Sequence, residues 1–362
     1  MASSSSSATK FTLPTDKISV IRFEPGPAEN MKVVKEDFTD HIHVQSNDDK
    51  TFSLSNDDHV AIQIKATAIN RAETIQRKGK LGTPPGYSTV IGLECSGIVL
   101  ALGKNAAQHA LFKVGDRVSA LLVGGGYGQF VQVDYRSVLP LPPNYSFVMG
   151  AALPEAFLTA YQALFFIAEM PQDSEPLRIL LHAGASGVST SAIQLIKATN
   201  KSHQIIVTAG SDEKIEFCKK LGADDGINRH QHPNFSEQVL ALTDNKGVDI
   251  LIDYVGQSYW NNNLQSLGPD GTMVMLGFLS GPQVEQPFML TPFLRKRITV
   301  RGSTLRTRPS EYKGKLVKAF SEFAGQLLAS DTIKPIVFKE LKGLEKVVEG
   351  HQIMESNQNI GK

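Results

Sequence analysis

The chain has only two cysteines in 362 residues, Cys95 and Cys218, and a single tryptophan. Two thiols are too few for a disulfide framework or a four-cysteine zinc site, which points to a reducing compartment and a cytoplasmic location. An excess of one charge sign is lacking as well: 37 basic against 36 acidic side chains leave a net charge of +1. A general nucleic-acid binder carries a basic excess or stripe, so nucleic acid is not an expected partner. Long apolar runs are missing too. The most apolar stretch, AFLTAYQALFFIA over 156–168, has 13 residues, short of the roughly 18–20 a bilayer needs. It follows Pro154 and Glu155, as a buried helix would, so no membrane partner is expected.

What is present reads as a globular protein, 41% apolar and 20% charged, long enough for two domains. The opening MASSSSSATK is serine-rich but lacks the arginines of an organelle transit segment, and a disordered tail is expected over 1–16. Over 17–144, short runs with β-branched residues recur: ISVIRF, HVAIQIKAT, SGIVLAL, RVSALLV and QFVQV. Turn clusters separate them at the spacing of a small barrel or sandwich. The polar stretch 37–58 reads as a surface hairpin or loop insertion. From about Tyr145 the pattern changes to a helical run, followed by four apolar strands, RILLH, QIIVTA, VDILIDYV and GTMVMLGF, alternating with helices. That alternation predicts an α/β domain over 145–300 with a parallel sheet covered on both faces. Residues 301–362 turn charged and helical and are expected to return to the first domain.

The sharpest local signal is RILLHAGASGVSTSAIQL, in which a buried strand runs through a glycine loop directly into a helix. Gly184 permits a tight turn and Gly187 lets the backbone approach a pyrophosphate. From Ser186 onward the helix start offers unpaired N–H groups and a positive dipole end. An ordinary glycine turn is the plainer alternative. A site for NAD places Asp or Glu at the tip of the second strand, on the ribose hydroxyls. Here that strand runs into Ala209, Gly210 and Ser211, 27 residues after Gly184 and without an acid at the tip. Ser211 and Lys214, with Arg229 beyond the next helix, suit a 2′-phosphate and hence NADPH. Asp212 and Glu213 leave open which way their carboxylates point, and a solvated Lys214 is the alternative for that residue.

These residues, with AINRAETIQRKG (68–79), PPGYSTVIGLECSG (84–97), VGDRVSALLVGGGYGQFV (114–131), AALPEAFLTAYQAL (151–164), VTAGSDEKIEFCKKLGAD (207–224), DYVGQSYW (253–260) and NIGK (359–362), resemble the zinc-free quinone oxidoreductases of the medium-chain dehydrogenase/reductase superfamily. The matches cover most of the chain in the family's order. The resemblance implies a doubly wound Rossmann nucleotide-binding domain with a GroES-like β-barrel catalytic domain, the nicotinamide lying in the cleft between them. It also implies a homodimer joined through the nucleotide-domain sheets, around 271–301. Where zinc-dependent relatives carry a His-Glu pair this chain has Leu93 and Glu94, so no metal is expected. His41 with His43, and His230 with His232, lack a third ligand nearby and read as solvated.

Carried over residue by residue, the resemblance puts Asn70 beside the nicotinamide and substrate, and Gly184, Ser186, Gly187 and Val188 on the pyrophosphate. Ser211 and Lys214 fall on the 2′-phosphate, Gly277, Phe278 and Leu279 border the nicotinamide ribose, and Asn359 closes over the cofactor. Leu81 replaces a tyrosine that the family usually has near the substrate, and members usually continue with a strand after a position like Lys362. The expected activity is NADPH-dependent hydride transfer to a quinone or similar activated carbonyl. Asn70 would hydrogen-bond the acceptor oxygen, and water or Tyr127 would complete protonation. A turn asparagine capping the following helix is the alternative for Asn70. Enoyl or enone reduction is a second reading of the activity, and an NADPH-binding crystallin or RNA-binding protein with little turnover is a third.

Overall fold

In a computed structural model, residues 8–47, 51–172, 175–284 and 287–362 are described. Strands β1 (Lys17–Arg22) and β2 (Lys32–Asp37) pair antiparallel, and β3 (Val44–Ser46) with β4 (Phe52–Leu54) makes a hairpin inside the polar stretch 37–58. Strands β5 (His59–Thr67), β6 (Glu94–Leu102), β7 (Arg117–Leu121), β8 (Phe130–Asp134) and β9 (Val138–Pro140) form an antiparallel sheet in the order β8-β5-β6-β7-β9. Ile62 sits opposite both Val99 and Val131, and all three are buried in one barrel core. The five runs anticipated from alternation are all strands. β2 was not anticipated because KVVKED offers two apolar side chains among four charged ones.

The amino-terminal expectation needs correction. Residues 1–7 lie outside the described residues, but the segment from 8 to 16 is tied down. The Thr9 N–H donates to the Leu102 carbonyl at 3.0 Å, and Phe11 exchanges main-chain hydrogen bonds with Phe52. A short strand-like edge supplied by Phe11 thus extends the β3–β4 hairpin.

The second domain is a six-stranded parallel sheet: β10 (Arg178–Leu181), β11 (Gln204–Ala209), β12 (Asp225–Asn228), β13 (Val248–Asp253), β14 (Leu267–Met275) and β15 (Thr299–Gly302). Its spatial order is β12-β11-β10-β13-β14-β15. Counted within the domain this is 3-2-1-4-5-6, the doubly wound dinucleotide-binding order. Alternate side chains feed opposite layers. Ile179, Leu181, Ile205, Val207, Ile250 and Ile252 enter one core, while Leu180, Ile206 and Leu251 enter the other. Both faces are therefore apolar, which is why these strands read as nearly continuous hydrophobic runs.

The helical run after Tyr145 is broken where Pro154 supplies no N–H. Phe147–Ala151 forms one short helix, Pro154–Tyr161 starts a second with proline in its first turn, and a π-helical turn follows over Gln162–Ile167. The expected boundary at 300/301 cuts through β15, so the nucleotide domain extends to Gly302. The return leg then serves both halves. Helix Ser310–Ala329 packs Phe320 against Phe157 and Tyr161 in the core shared with the sheet, whereas helix Val347–Ser356 packs on Arg71–Arg77 beside the barrel. Among the described residues no helix is long and apolar enough to cross a membrane.

Candidate active site

The strand order reverses between β10 and β13, and the crevice beyond their carboxyl ends is where ligands of such sheets bind. The loop leaving β10 bends at Ala183, whose φ is +46°. Gly184 has a different part from the one anticipated. A Cβ there would lie 2.7 Å from the Val207 Cβ, so the glycine allows the loop to pack on β11 while Ala183 makes the left-handed turn. Ser186 caps helix Gly187–Thr199, its Oγ accepting the Ser189 N–H at 3.2 Å. In the first turn the N–H groups of Gly187 and Val188 have no main-chain carbonyl within reach along the helix. Gly277, Phe278 and Leu279 follow β14, and the Leu279 N–H donates to the Tyr254 carbonyl at 3.0 Å, which draws this loop to the end of β13. Phe278 and Leu279 are half exposed there rather than part of the core.

At the tip of β11, Ser211 caps helix Asp212–Leu221. Lys214 lies in its first turn, and the Arg229 guanidinium lies beside Gly210, 3.2 Å from where a Cβ would stand. The open question about Asp212 is answered by its partners. Its carboxylate accepts from the side chains of Asn228 at 2.7 Å and Gln231 at 3.2 Å and so faces the end of β12.

The crevice floor holds a set of groups that the sequence did not bring together. Glu94, fully buried, accepts from the Asn70 side chain at 2.9 Å, the Glu155 N–H at 2.8 Å and Lys362 Nζ at 2.5 Å. Glu73 accepts from the Asn70 N–H at 2.6 Å and the Leu93 N–H at 3.0 Å. Burial pushes the Glu73 carboxyl up to about 7 and the Glu155 carboxyl up to about 8, with Lys362 opposing and Glu94 assisting both shifts. Lys362, with Lys313 acting on Glu155, offsets only part of this, so the cluster retains protons near neutral pH. Lys362 also covers the start of the glycine-loop helix, its Cδ 3.0 Å from where a Gly187 Cβ would stand, and the Gly361 N–H donates to the Ala185 carbonyl at 2.8 Å. Asn359 donates from its side chain to the Gly361 carbonyl at 2.9 Å.

The two residues expected to be catalytic are both engaged by partners within the protein. Asn70 heads helix Arg71–Arg77 in a reciprocal cap with Glu73. Its side-chain nitrogen is shared between Glu94 and Glu73, and its oxygen accepts from Lys362. In this arrangement no Asn70 N–H is left over for an acceptor oxygen. Tyr127 is only 1% exposed, inside the barrel core, and its hydroxyl bonds to His351 Nε2 at 3.1 Å. That bond, rather than an acceptor in the crevice, engages the hydroxyl. Leu81 is 38% exposed on the adjoining loop. Both cysteines are buried and burial pushes both thiols up, the opposite of activation. Among the described residues no three His, Cys, Asp or Glu side chains are grouped to hold a metal.

Comparison with known proteins places this geometry among relatives. Residues 56–143 match the family described as alcohol dehydrogenase GroES-like domain, and 187–322 match that described as zinc-binding dehydrogenase. The quinone oxidoreductase of Rattus norvegicus is 28% identical over 308 residues, covering 84% of this chain and 87% of that protein. A highly reducing polyketide synthase of Penicillium oxalicum is 29% identical over 310 residues, 84% of this chain. The chain spans only 12% of that synthase. The crystal structure of Escherichia coli quinone oxidoreductase complexed with NADPH superposes with a TM-score of 0.76 at 26% identity, covering 95% of this chain and 98% of that one. With its barrel, its 3-2-1-4-5-6 sheet and these matches, the chain belongs to the medium-chain dehydrogenase/reductase superfamily.

Proposed function

We propose that this protein is an NADPH-dependent reductase that delivers hydride to a quinone or a similarly activated carbonyl. The observation that carries the reading is the end of β11, where Ser211, Lys214 and Arg229 gather and Asp212 turns away. The crevice residues fit the cofactor. The start of helix Gly187–Thr199, with the N–H groups and dipole of its first turn, suits its pyrophosphate, the cations suit its 2′-phosphate, and Gly277–Leu279 border the place of the nicotinamide ribose. NADPH, when bound, supplies the hydride. The chain's own part is to orient the acceptor in a dry cleft and to manage the proton. Glu73 and Glu155 hold protons near neutrality beneath Asn70, and this reserve supports protonation, through water, of the oxyanion left by hydride addition. Titration with NADPH and NADH tests the cofactor assignment. NADPH should bind more tightly, and Lys214→Ala should cut the ratio about tenfold; equal affinities in the unaltered protein would refute it.

Reduction of an enone is the second reading, favoured by the likeness to multidomain polyketide synthases. Deuterated NADPH with matched quinone and enone acceptors separates the two, because only the enone product carries deuterium on carbon. A homodimer is proposed as well, joined at the β15 edge of the sheet. The neighbouring Met289, Leu290 and Leu294 are 71%, 71% and 84% exposed, and light scattering reads the mass directly. A cytoplasmic location is proposed from the two free, buried thiols.

A further inference from the structure

The end of β11 contains a third cation, contributed by the other domain. Arg71 is the first residue of the helix that Asn70 caps, on the catalytic side of the crevice. Its Nη2 donates to Asn357 Oδ1 at 2.6 Å, and Lys214 Nζ donates to the main-chain oxygen of the same Asn357 at 2.6 Å. Asn357 adopts a left-handed conformation, φ +56°, and closes helix Val347–Ser356, so two carbonyl-type oxygens of one residue face two cations. Those oxygens are neutral and bring the cations together without cancelling their charge. Among the described residues none of Arg71, Lys214 and Arg229 has a carboxylate within 4 Å. Burial lowers the pKa of both Arg71 and Lys214, and Arg229 and Arg71 each lower that of Lys214 further. Glu355 acts on Arg71 and Glu213 on Lys214 from a distance without pairing with them, and half-buried like charges held side by side are costly unless an anion joins them.

We propose that Arg71 is a specificity-determining residue that binds the 2′-phosphate of the nucleotide together with Lys214 and Arg229, Asn357 being the residue that positions it. The inference rests on the NADPH reading above and adds to it that the phosphate is gripped from both domains. An arginine offers five N–H donors and Asn357 engages one, which leaves a guanidinium edge for phosphate oxygens.

Isothermal titration of the full chain with NADPH, NADH, 2′,5′-ADP and 5′-ADP tests this. Arg71→Ala should weaken NADPH and 2′,5′-ADP about tenfold and NADH and 5′-ADP less than about threefold, while Arg71→Lys recovers part of the loss. Asn357→Gly keeps the left-handed turn available and removes only the oxygen that aims Arg71. It should reduce the NADPH to NADH ratio about threefold, and it remains informative if Arg71→Ala does not fold. If Arg71→Ala weakens all four ligands equally, Arg71 serves a part common to them and the inference falls. If the ratio is unchanged in both variants, it falls as well while the cofactor reading stands. An unaltered protein that binds NADPH no better than NADH overturns that reading itself, before any variant is compared.

Discussion

Replacing Glu155 by glutamine tests whether the crevice floor holds a proton at neutral pH. Burial, with Glu94 nearby, raises this carboxyl from 4.5 to about 8. Between those values the folded protein keeps a proton that the unfolded chain has released. A group raised in this way contributes stability that is complete below about pH 4.5 and lost as pH rises through about 8. From pH 5.5 to 8 the slope is about 1.4 kcal/mol per pH unit, on the order of 3 kcal/mol in all, trimmed to roughly 2 by partial access to solvent. Glutamine is neutral throughout and mimics the protonated acid, so Glu155→Gln removes this dependence and leaves the remaining titrating groups in place. Urea unfolding of both proteins at pH 5.5 and 8.5 measures the difference of differences, in which those groups cancel. The variant should gain on the unaltered protein by roughly 2 kcal/mol as pH rises. A gap that stays constant to within about 0.5 kcal/mol across the two pH values would refute a protonated Glu155.

Other outcomes follow from packing. Gly184→Ala sets a methyl against Val207, so about 1–3 kcal/mol of stability should be lost, with weaker nucleotide binding, as thermal melts and calorimetry report. Phe320→Ala empties a fully buried site between Phe157 and Tyr161 and should cost about 3–5 kcal/mol in urea unfolding. A loss below about 1 kcal/mol would mean that the return helix is not anchored there.

The doubly wound domain was legible because burial on both faces makes strands such as RILL and QIIVTA nearly continuous apolar runs. Its outer strands were not, since DGIN and TVRG are four residues long and carry Asp, Asn, Arg and Gly. The glycine loop was recognised, but its division of labour depends on Val207, a contact across 23 residues that no local pattern encodes. The floor cluster escaped because Glu73, Glu94, Glu155 and Lys362 are far apart in the chain. Only a carboxylate inside the apolar run of GLECSGIV hinted at it. The bond between Tyr127 and His351 was hidden for the same reason, as the two lie 224 residues apart. Arg71 was passed over because an arginine opening a polar helix looks like solvated surface until Asn357 and Lys214 meet it.

The final residues knit the two halves together. Gly361 donates to Ala185 in the glycine loop, Lys362 donates to Ile336, and Phe338 donates back to Lys362. A force applied at Lys362 therefore loads these three main-chain bonds before any helix or sheet is strained. The first part to give way is the glycine loop at Ala185, so damage to this short segment would disturb the crevice beyond β10 while the sheet stays folded.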